Sequence, residues 1–217
     1  MPTVDEVLKR YVQALGGRTA LEKLTSRVAK GTTEVTTFGS TGPTEIYAKA
    51  PNKYLLDSSF PNFGNVRRGF DGTAGWAEDP ENGVQEVSGP QLVAMKRNVE
   101  FYKELKTKEL YSRLTVAGKQ KIDGRDTYAM EAVTGEGTKD VMYFDVESGL
   151  LIYTNSERES PEGRIHLHAH YEDYREVDGI KLPFTIRQSM PNLDLVLKVS
   201  DVKHNVPIED AKFARPR

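Results

Sequence analysis

Through residues 114–199 the chain repeatedly alternates apolar and polar side chains with a period of two, and this constrains the fold more than any other feature. Ile165, Leu167, Ala169 and Tyr171 point one way, while His166, His168 and His170 point the other. Leu182, Phe184 and Ile186 oppose Thr185 and Arg187, and Leu193, Leu195 and Leu197 oppose Asp194 and Lys198. A strand sends successive side chains to opposite faces, so such runs predict antiparallel strands with one covered and one wet face. The predicted strands are Leu114–Ile122, Asp126–Val133, Asp140–Asp145, Leu150–Glu157, Arg164–Tyr171, Leu182–Ser189 and Leu193–Val199. Upstream, Thr32–Thr37, Thr44–Ala50 and Lys53–Ser59 also read as strands, the last two parted by Pro51-Asn52. Asp71-Gly72, Asn82-Gly83, Asp123-Gly124 and Asp178-Gly179 are tight-turn signals between strand-like runs.

A long meander with one apolar face needs a cover. Too few strands remain for a second sheet, so helices are expected to supply it. Thr3 and Glu6 have capping-box spacing, and Val4, Val7, Leu8, Tyr11, Val12 and Leu15 form one stripe that Gly16-Gly17 ends. Thr19 and Glu22 repeat the box for a shorter helix over Thr19–Leu24. Ser88 is placed to cap a third helix, in which Leu92, Met95, Val99, Tyr102 and Leu105 recur at helical spacing. The expected fold class is α+β, mainly antiparallel β: a curved sheet covered by a few helices, as a single domain over residues 1–217. No repeat, linker or low-complexity tract interrupts it.

Composition excludes several classes. With 29% charged and 37% hydrophobic residues the chain is globular in type. Its longest uncharged apolar runs, such as Gly149–Tyr153, fall far short of the ~20 residues of a spanning helix. A net charge of −2 argues against nucleic acid as a partner. The absence of cysteine removes disulfides, thiolate chemistry and Cys-ligated metals. No basic segment followed by an apolar one precedes the first helix. The expectation is either a cytoplasmic protein or an exported one whose signal has been removed; the abrupt start at a helix cap favours the second.

The sharpest candidate for chemistry is His166-Leu167-His168-Ala169-His170, which puts three imidazoles on one strand face about 7 Å apart at each step. A His-x-His strand can bind zinc, with Glu172 or Asp173 completing the shell. The competing reading, a wet polar face shared with Arg164 and Glu172, is preferred. No Gly-x-Ser-x-Gly elbow, P-loop, dinucleotide fingerprint or His-Glu-x-x-His is present. The acidic run Glu78–Gly83 lacks the spacing of a calcium loop and reads as a solvated turn. Trp76, the only tryptophan, reads as half of an aromatic packing pair across the Asp71-Gly72 hairpin, with a ligand-cavity wall as the alternative. The face of the third helix opposite its stripe carries Lys96, Arg97, Lys103, Lys106 and Lys108, a solvated face or a contact for headgroups or an acidic partner.

Four stretches carry a resemblance. They are Ala14-Leu15-Gly16-Gly17 closing the paired N-terminal helices, Asp71-Gly72-x-x-Gly75-Trp76, Tyr143-Phe144-Asp145-x-x-Ser148-Gly149-Leu150-Leu151, and Asp173-Tyr174-Arg175-x-x-Asp178-Gly179-Ile180-x-Leu182-Pro183. In this order the chain resembles the lipoprotein-carrier (LolA-like) superfamily of bacterial envelope proteins. The resemblance implies a half-barrel of antiparallel strands closed by helices around an apolar cavity for acyl chains, in the periplasm or on the envelope. It also implies no enzymatic activity and no cofactor. The partners would be a lipid or lipoprotein acyl chain, with a membrane surface or an envelope protein as further contacts.

Alternation and resemblance agree on binding rather than catalysis. The lining residues expected from alternation are Leu92, Met95 and Val99 on the third helix, and Phe144, Ile152, Leu167, Phe184, Ile186 and Leu195 on the sheet; ordinary core is the competing reading. Two other functions stay open: a metal-dependent enzyme built on His166, His168 and His170, and a ligand-free interaction module.

Overall fold

A computed structural model describes residues 1–61, 63–160 and 163–216. Along the chain it forms helices α1 (Val4–Ala14) and α2 (Arg18–Glu22), then strands β1 (Ser26–Val35), β2 (Ser40–Lys49), β3 (Lys53–Phe60), β4 (Gly64–Phe70), β5 (Gly75–Asp79) and β6 (Gly83–Val87). Helices α3 (Gly89–Asn98) and α4 (Thr107–Leu110) follow. Then come β7 (Arg113–Ile122), β8 (Arg125–Val133), β9 (Lys139–Asp145), β10 (Leu151–Ser160), β11 (Gly163–Val177), β12 (Ile180–Met190) and β13 (Leu193–His204), and a 3-10 turn at Asp210–Phe213. This is the expected α+β class, mainly antiparallel. Among the described residues no helix is long and apolar enough to cross a membrane.

The chain divides into two compact units: Met1–Leu21 with Glu104–Asp194, and Glu22–Lys103 with the residues from Leu195 onward. In the first, the strand order is β12-β11-β10-β9-β8-β7. Helix α1 starts at the predicted capping box, the Thr3 side chain accepting from Glu6 N and the Glu6 side chain from Thr3 N. Val7, Leu8 and Tyr11 are its buried residues, and the Tyr11 ring meets Phe144 edge-on at 5.1 Å between centroids. The C-terminal end of α1 lies on the β11–β12 turn: Lys181 N donates to Leu15 O at 2.9 Å. A Cβ at Gly16 would sit 2.1 Å from Gly179 O, so this contact admits only glycine.

In the second unit the order is β6-β5-β4-β3-β2-β1-β13. One face carries α3, where Phe70, Val87 and Met95 form a cluster joined by Ala77, Leu92 and Val99. Met95 and Leu92 of α3 pack directly over Gly75, where a Cβ would lie 2.6 Å from Met95 Sδ and 3.1 Å from Leu92 Cδ1. The opposite face is covered by the C-terminal segment: Leu55, Trp76, Ile208 and Phe213 pack with Val28, Tyr47, Val84 and Val206. The Trp76 indole N–H donates to Phe213 O at 3.0 Å. Beyond that cover the same face becomes a charged row, Lys30, Glu45, Asp57, Arg67 and Glu78 being successive cross-strand partners.

Several expectations need correction. The third helix ends at Asn98 rather than reaching Leu105. Phe101 N donates instead to Pro51 O (2.9 Å) and the Tyr102 hydroxyl to Leu24 O (2.8 Å), which draws the chain out of helical register. Ser88 makes no side-chain cap bond. Helix α3 covers the hairpins that precede it, whereas α1 meets the later strands. Trp76 and Phe70 are not a cross-hairpin pair: Trp76 faces Gly69 and Phe70 faces Gly75, which sends the two rings to opposite faces. The strand read at Thr32–Thr37 is the end of β1, which runs Ser26–Val35. In β13 it is Val196 that is buried, while its neighbours Leu195 and Leu197 are half-buried.

Candidate functional site

Cross-strand partners share a face, so the register assembles the helix-bearing face of each unit row by row. In the first unit one row is Met130, Met142, Thr154, Ala169 and Gln188. Another pairs Phe144 with Tyr128, and Tyr171 with Ile186. The residues nearest α1 are tightly covered: Phe144 is 2% exposed, Ile152 7% and Phe184 6%. The Arg175 guanidinium lies over the Phe184 ring, 4.6 Å from its centroid. Farther along the same face the cover thins. Ile165, Leu167 and Ile186 are half-buried aliphatic side chains.

Beside them sits a polar group that sequence reasoning missed. Asp140 is almost fully buried and accepts from the Tyr111 hydroxyl (2.7 Å) and from Arg158 Nη1 (2.9 Å). Arg158 pairs with Ile165 across β10–β11, and Asp140 pairs with Ser156 across β9–β10. Asp140 is in phase with Met142 and Phe144, and Arg158 with Thr154 and Ser156. A charged residue occurring at an apolar position of the alternation was the signal available. Such a carboxylate must be paired to be buried at all.

In the second unit, Leu92, Met95 and Val99 of α3 lie against Phe70, Val87 and Ala77. On the same face Val35 pairs with Leu195, Thr33 with Leu197, and Ile46 with Leu56. All six are half-buried. A line of hydroxyls crosses this stripe: Thr33 Oγ1 to Thr44 Oγ1 at 2.7 Å, then Thr44 Oγ1 to Ser58 Oγ at 2.8 Å. The nine predicted lining residues thus fall into two sets. Phe144, Ile152, Leu167, Phe184 and Ile186 belong to the first unit, and Leu92, Met95, Val99 and Leu195 to the second. Phe144, Ile152, Phe184 and Met95 form buried floor, whereas Leu167, Ile186, Leu195, Leu92 and Val99 keep some surface open.

Two concavities lie in the first unit. One, of about 400 Å³, is lined by Thr3, Val4, Asp5, Lys108, Tyr111, Ser112, Arg113 and Leu114. The other, of about 170 Å³, is lined by Pro2, Glu6, Val7, Arg10, Tyr128, Phe144, Asp145 and Gly149. Phe144 is the one predicted lining residue among them, and both walls are mixed polar and apolar. At the second, burial opposes ionisation of Asp145, but bonds from Ser148 and Arg125 outweigh it and hold the carboxyl below its ordinary range.

The histidines stand on the opposite face from Leu167 and Ala169, as the alternation requires. Ala169 is buried; Ile165 and Leu167 are half-buried; His166 is exposed, and His168 and His170 are half-buried rather than open. The cause is Tyr153, whose ring stacks on His168 (6.0 Å) and tilts against His170 (4.5 Å). Each imidazole has its own partner. His166 Nδ1 shares a hydrogen bond with Asn155 Oδ1 (2.9 Å), His168 Nδ1 shares one with the Tyr153 hydroxyl (2.6 Å), and His170 Nδ1 faces Asp123 Oδ2 (3.2 Å). Among the described residues no group of three or more His, Asp or Glu side chains is placed to hold a metal ion.

No protein-family model and no curated protein matches this chain in sequence. Solved structures do match it in fold. A DUF1329 family protein from Desulfovibrio piger aligns at 16% identity over 99% of this chain and 98% of that one, with a TM-score of 0.67. A LolA superfamily protein from Nitrosomonas europaea aligns at 15% identity over 99% of both chains, with a TM-score of 0.62. A domain from Vibrio parahaemolyticus, described as that of an outer membrane lipoprotein-sorting protein, aligns at 14% identity over 96% and 93%, with a TM-score of 0.61. The chain therefore has the LolA-like fold over nearly its whole length.

Proposed function

We propose that this protein binds and carries a hydrophobic ligand, a lipid or lipoprotein acyl chain, in the periplasm or on the envelope, and catalyses no reaction. The observation that supports this is the uneven cover of the helix-bearing faces. Each has a buried floor continued by half-buried aliphatic side chains, Ile165, Leu167 and Ile186 in one unit and Val35, Leu195 and Leu197 in the other. Apolar surface left partly wet is surface that a ligand stabilises by covering, at roughly 25 cal/mol per Å². A chain of about 14 methylenes gains on the order of 11 kcal/mol gross at ~0.8 kcal/mol each. Association and ordering cost at least several kcal/mol of that, which leaves roughly micromolar affinity. The likeness to the Nitrosomonas and Vibrio proteins favours the same reading, and the whole chain is proposed to act as one carrier.

The test is titration with a fluorescent fatty-acid analogue on wild type, Leu167→Gln with Ile186→Gln, and Leu195→Gln with Leu197→Gln. The reading expects saturable binding weakened about tenfold or more in at least one pair, at little cost in melting temperature because these side chains are half-exposed. Saturable binding unaffected by either pair would place the ligand elsewhere, and no binding to wild type would leave the ligand-free interaction module as the better reading.

A further inference from the structure

Two of the most exposed large apolar side chains occupy equivalent places. Phe38, 74% exposed, sits in the β1–β2 turn, and Phe63, 49% exposed, in the β3–β4 turn. Because β1 to β4 form an antiparallel meander, both turns lie at the same end of the second unit. They are built alike. Phe38 N donates to Val35 O and Phe63 N to Phe60 O, both at 3.1 Å, and each phenylalanine precedes a glycine of positive φ, Gly39 at 61° and Gly64 at 98°. Each ring is thus held out at the end of a closed turn.

The sequence flanking both rings is uncharged. Residues 35–44 and 58–66 contain no Lys, Arg, Asp or Glu, in a chain that is 29% charged. Along these two hairpins the nearest charges are Glu34, Glu45, Asp57 and Arg67, and Asp194 directly precedes Leu195, the cross-strand partner of Val35. A third turn at this end, Asp79–Gly83, is acidic, and Pro80 of that turn is close enough to meet a Cβ built at Gly64. Two exposed aromatic rings carried on uncharged turns are suited to entering a bilayer, where an inserted charge is costly.

We propose that Phe38 and Phe63 dock this end of the second unit onto a lipid bilayer of zwitterionic headgroups. The rings enter the interface, and the neighbouring Asp79 and Glu81 bias the surface against anionic lipid. This goes beyond the acyl-ligand reading and stands without it, since it concerns only the outer tips of two turns.

Co-sedimentation with phosphatidylcholine vesicles tests it on the full chain. Wild type should bind; Phe38→Ala with Phe63→Ala should lower the partition coefficient by roughly tenfold or more, without loss of melting temperature. Val93→Ala, at an exposed residue of α3, should change nothing. Replacing a third of the lipid with phosphatidylglycerol at low salt should weaken binding. A second readout uses Phe38→Trp, whose emission should shift to the blue on adding vesicles over the constant background of the buried Trp76. Failure of wild type to bind, an unmoved Phe38→Trp emission, or salt-sensitive binding to anionic vesicles that the double variant retains would each overturn the proposal. So would self-association that the double variant abolishes in the absence of vesicle binding.

Discussion

Replacing Phe213 with alanine should release the C-terminal segment from the second unit. Phe213 is fully buried and packs with Leu55, Trp76 and Ile208 in the cluster under the sheet. A buried aromatic removes about 150–250 Å² from water, which at ~25 cal/mol per Å² corresponds to roughly 4–6 kcal/mol. Measured losses for Phe→Ala in cores run about 3–5 kcal/mol. The lower part of that range is expected here, because the segment keeps other ties. Lys49 Nζ donates to Ile208 O (2.8 Å), and Lys49 and Lys53 both pair with Asp210. For a chain of this size, about 3 kcal/mol lowers the melting temperature by roughly 6–12 °C. The assay has its own reporter. Trp76 is the only tryptophan, is 2% exposed, and bonds to Phe213 O, so its emission follows the docking of this segment. Phe213→Ala should redden Trp76 emission and make it quenchable by acrylamide below the main transition. Unchanged emission with a loss under about 1 kcal/mol would refute the claim that this segment seals that face.

The same segment should be acid-sensitive. Bonds from Lys49 and then Lys53 lower the Asp210 carboxyl to about 2, from an ordinary value of 3.8. A carboxyl depressed by folding contributes stability above its unfolded value, lost as pH falls through the folded one. Trp76 emission should therefore respond between about pH 4 and 2, and Lys49→Met with Lys53→Met should flatten that dependence. In the first unit, Asp140→Ala strands a partly buried guanidinium and a tyrosine hydroxyl, and should cost about 3 kcal/mol. Adding Arg158→Met should recover much of that loss in thermal or urea unfolding, and strictly additive losses would show the pair is not coupled.

Most of the strands were legible because alternation is a direct consequence of backbone geometry. The seven strands predicted from residue 114 onward correspond to β7–β13, and Thr44–Ala50 and Lys53–Ser59 to β2 and β3. The capping box and Gly16 marked α1 and its end for equally local reasons. What failed depends on distant partners. The tethers from Pro51 and Leu24 that shorten the third helix involve residues far away in sequence. The opposite facing of Phe70 and Trp76 depends on a hairpin register that aromatic content does not encode. Val206, Ile208 and Phe213 have no helical or strand period, since a 3-10 turn and extended chain deliver them to the core. On the site, alternation assigned Leu167 and Ala169 to the face opposite the histidines. Which apolar residues are floor and which keep open surface depends on where α1 and α3 lie, and that is tertiary information.

The carrier reading is tested most directly by native mass spectrometry of the full chain purified from a bacterial envelope fraction without detergent. The account predicts a bound species heavier than the polypeptide by the mass of a lipid or acylated fragment, released on denaturation and identifiable in the extract. Leu167→Gln with Ile186→Gln, or Leu195→Gln with Leu197→Gln, should reduce its occupancy. A protein that carries no such mass and acquires none after incubation with phospholipid vesicles would contradict the account.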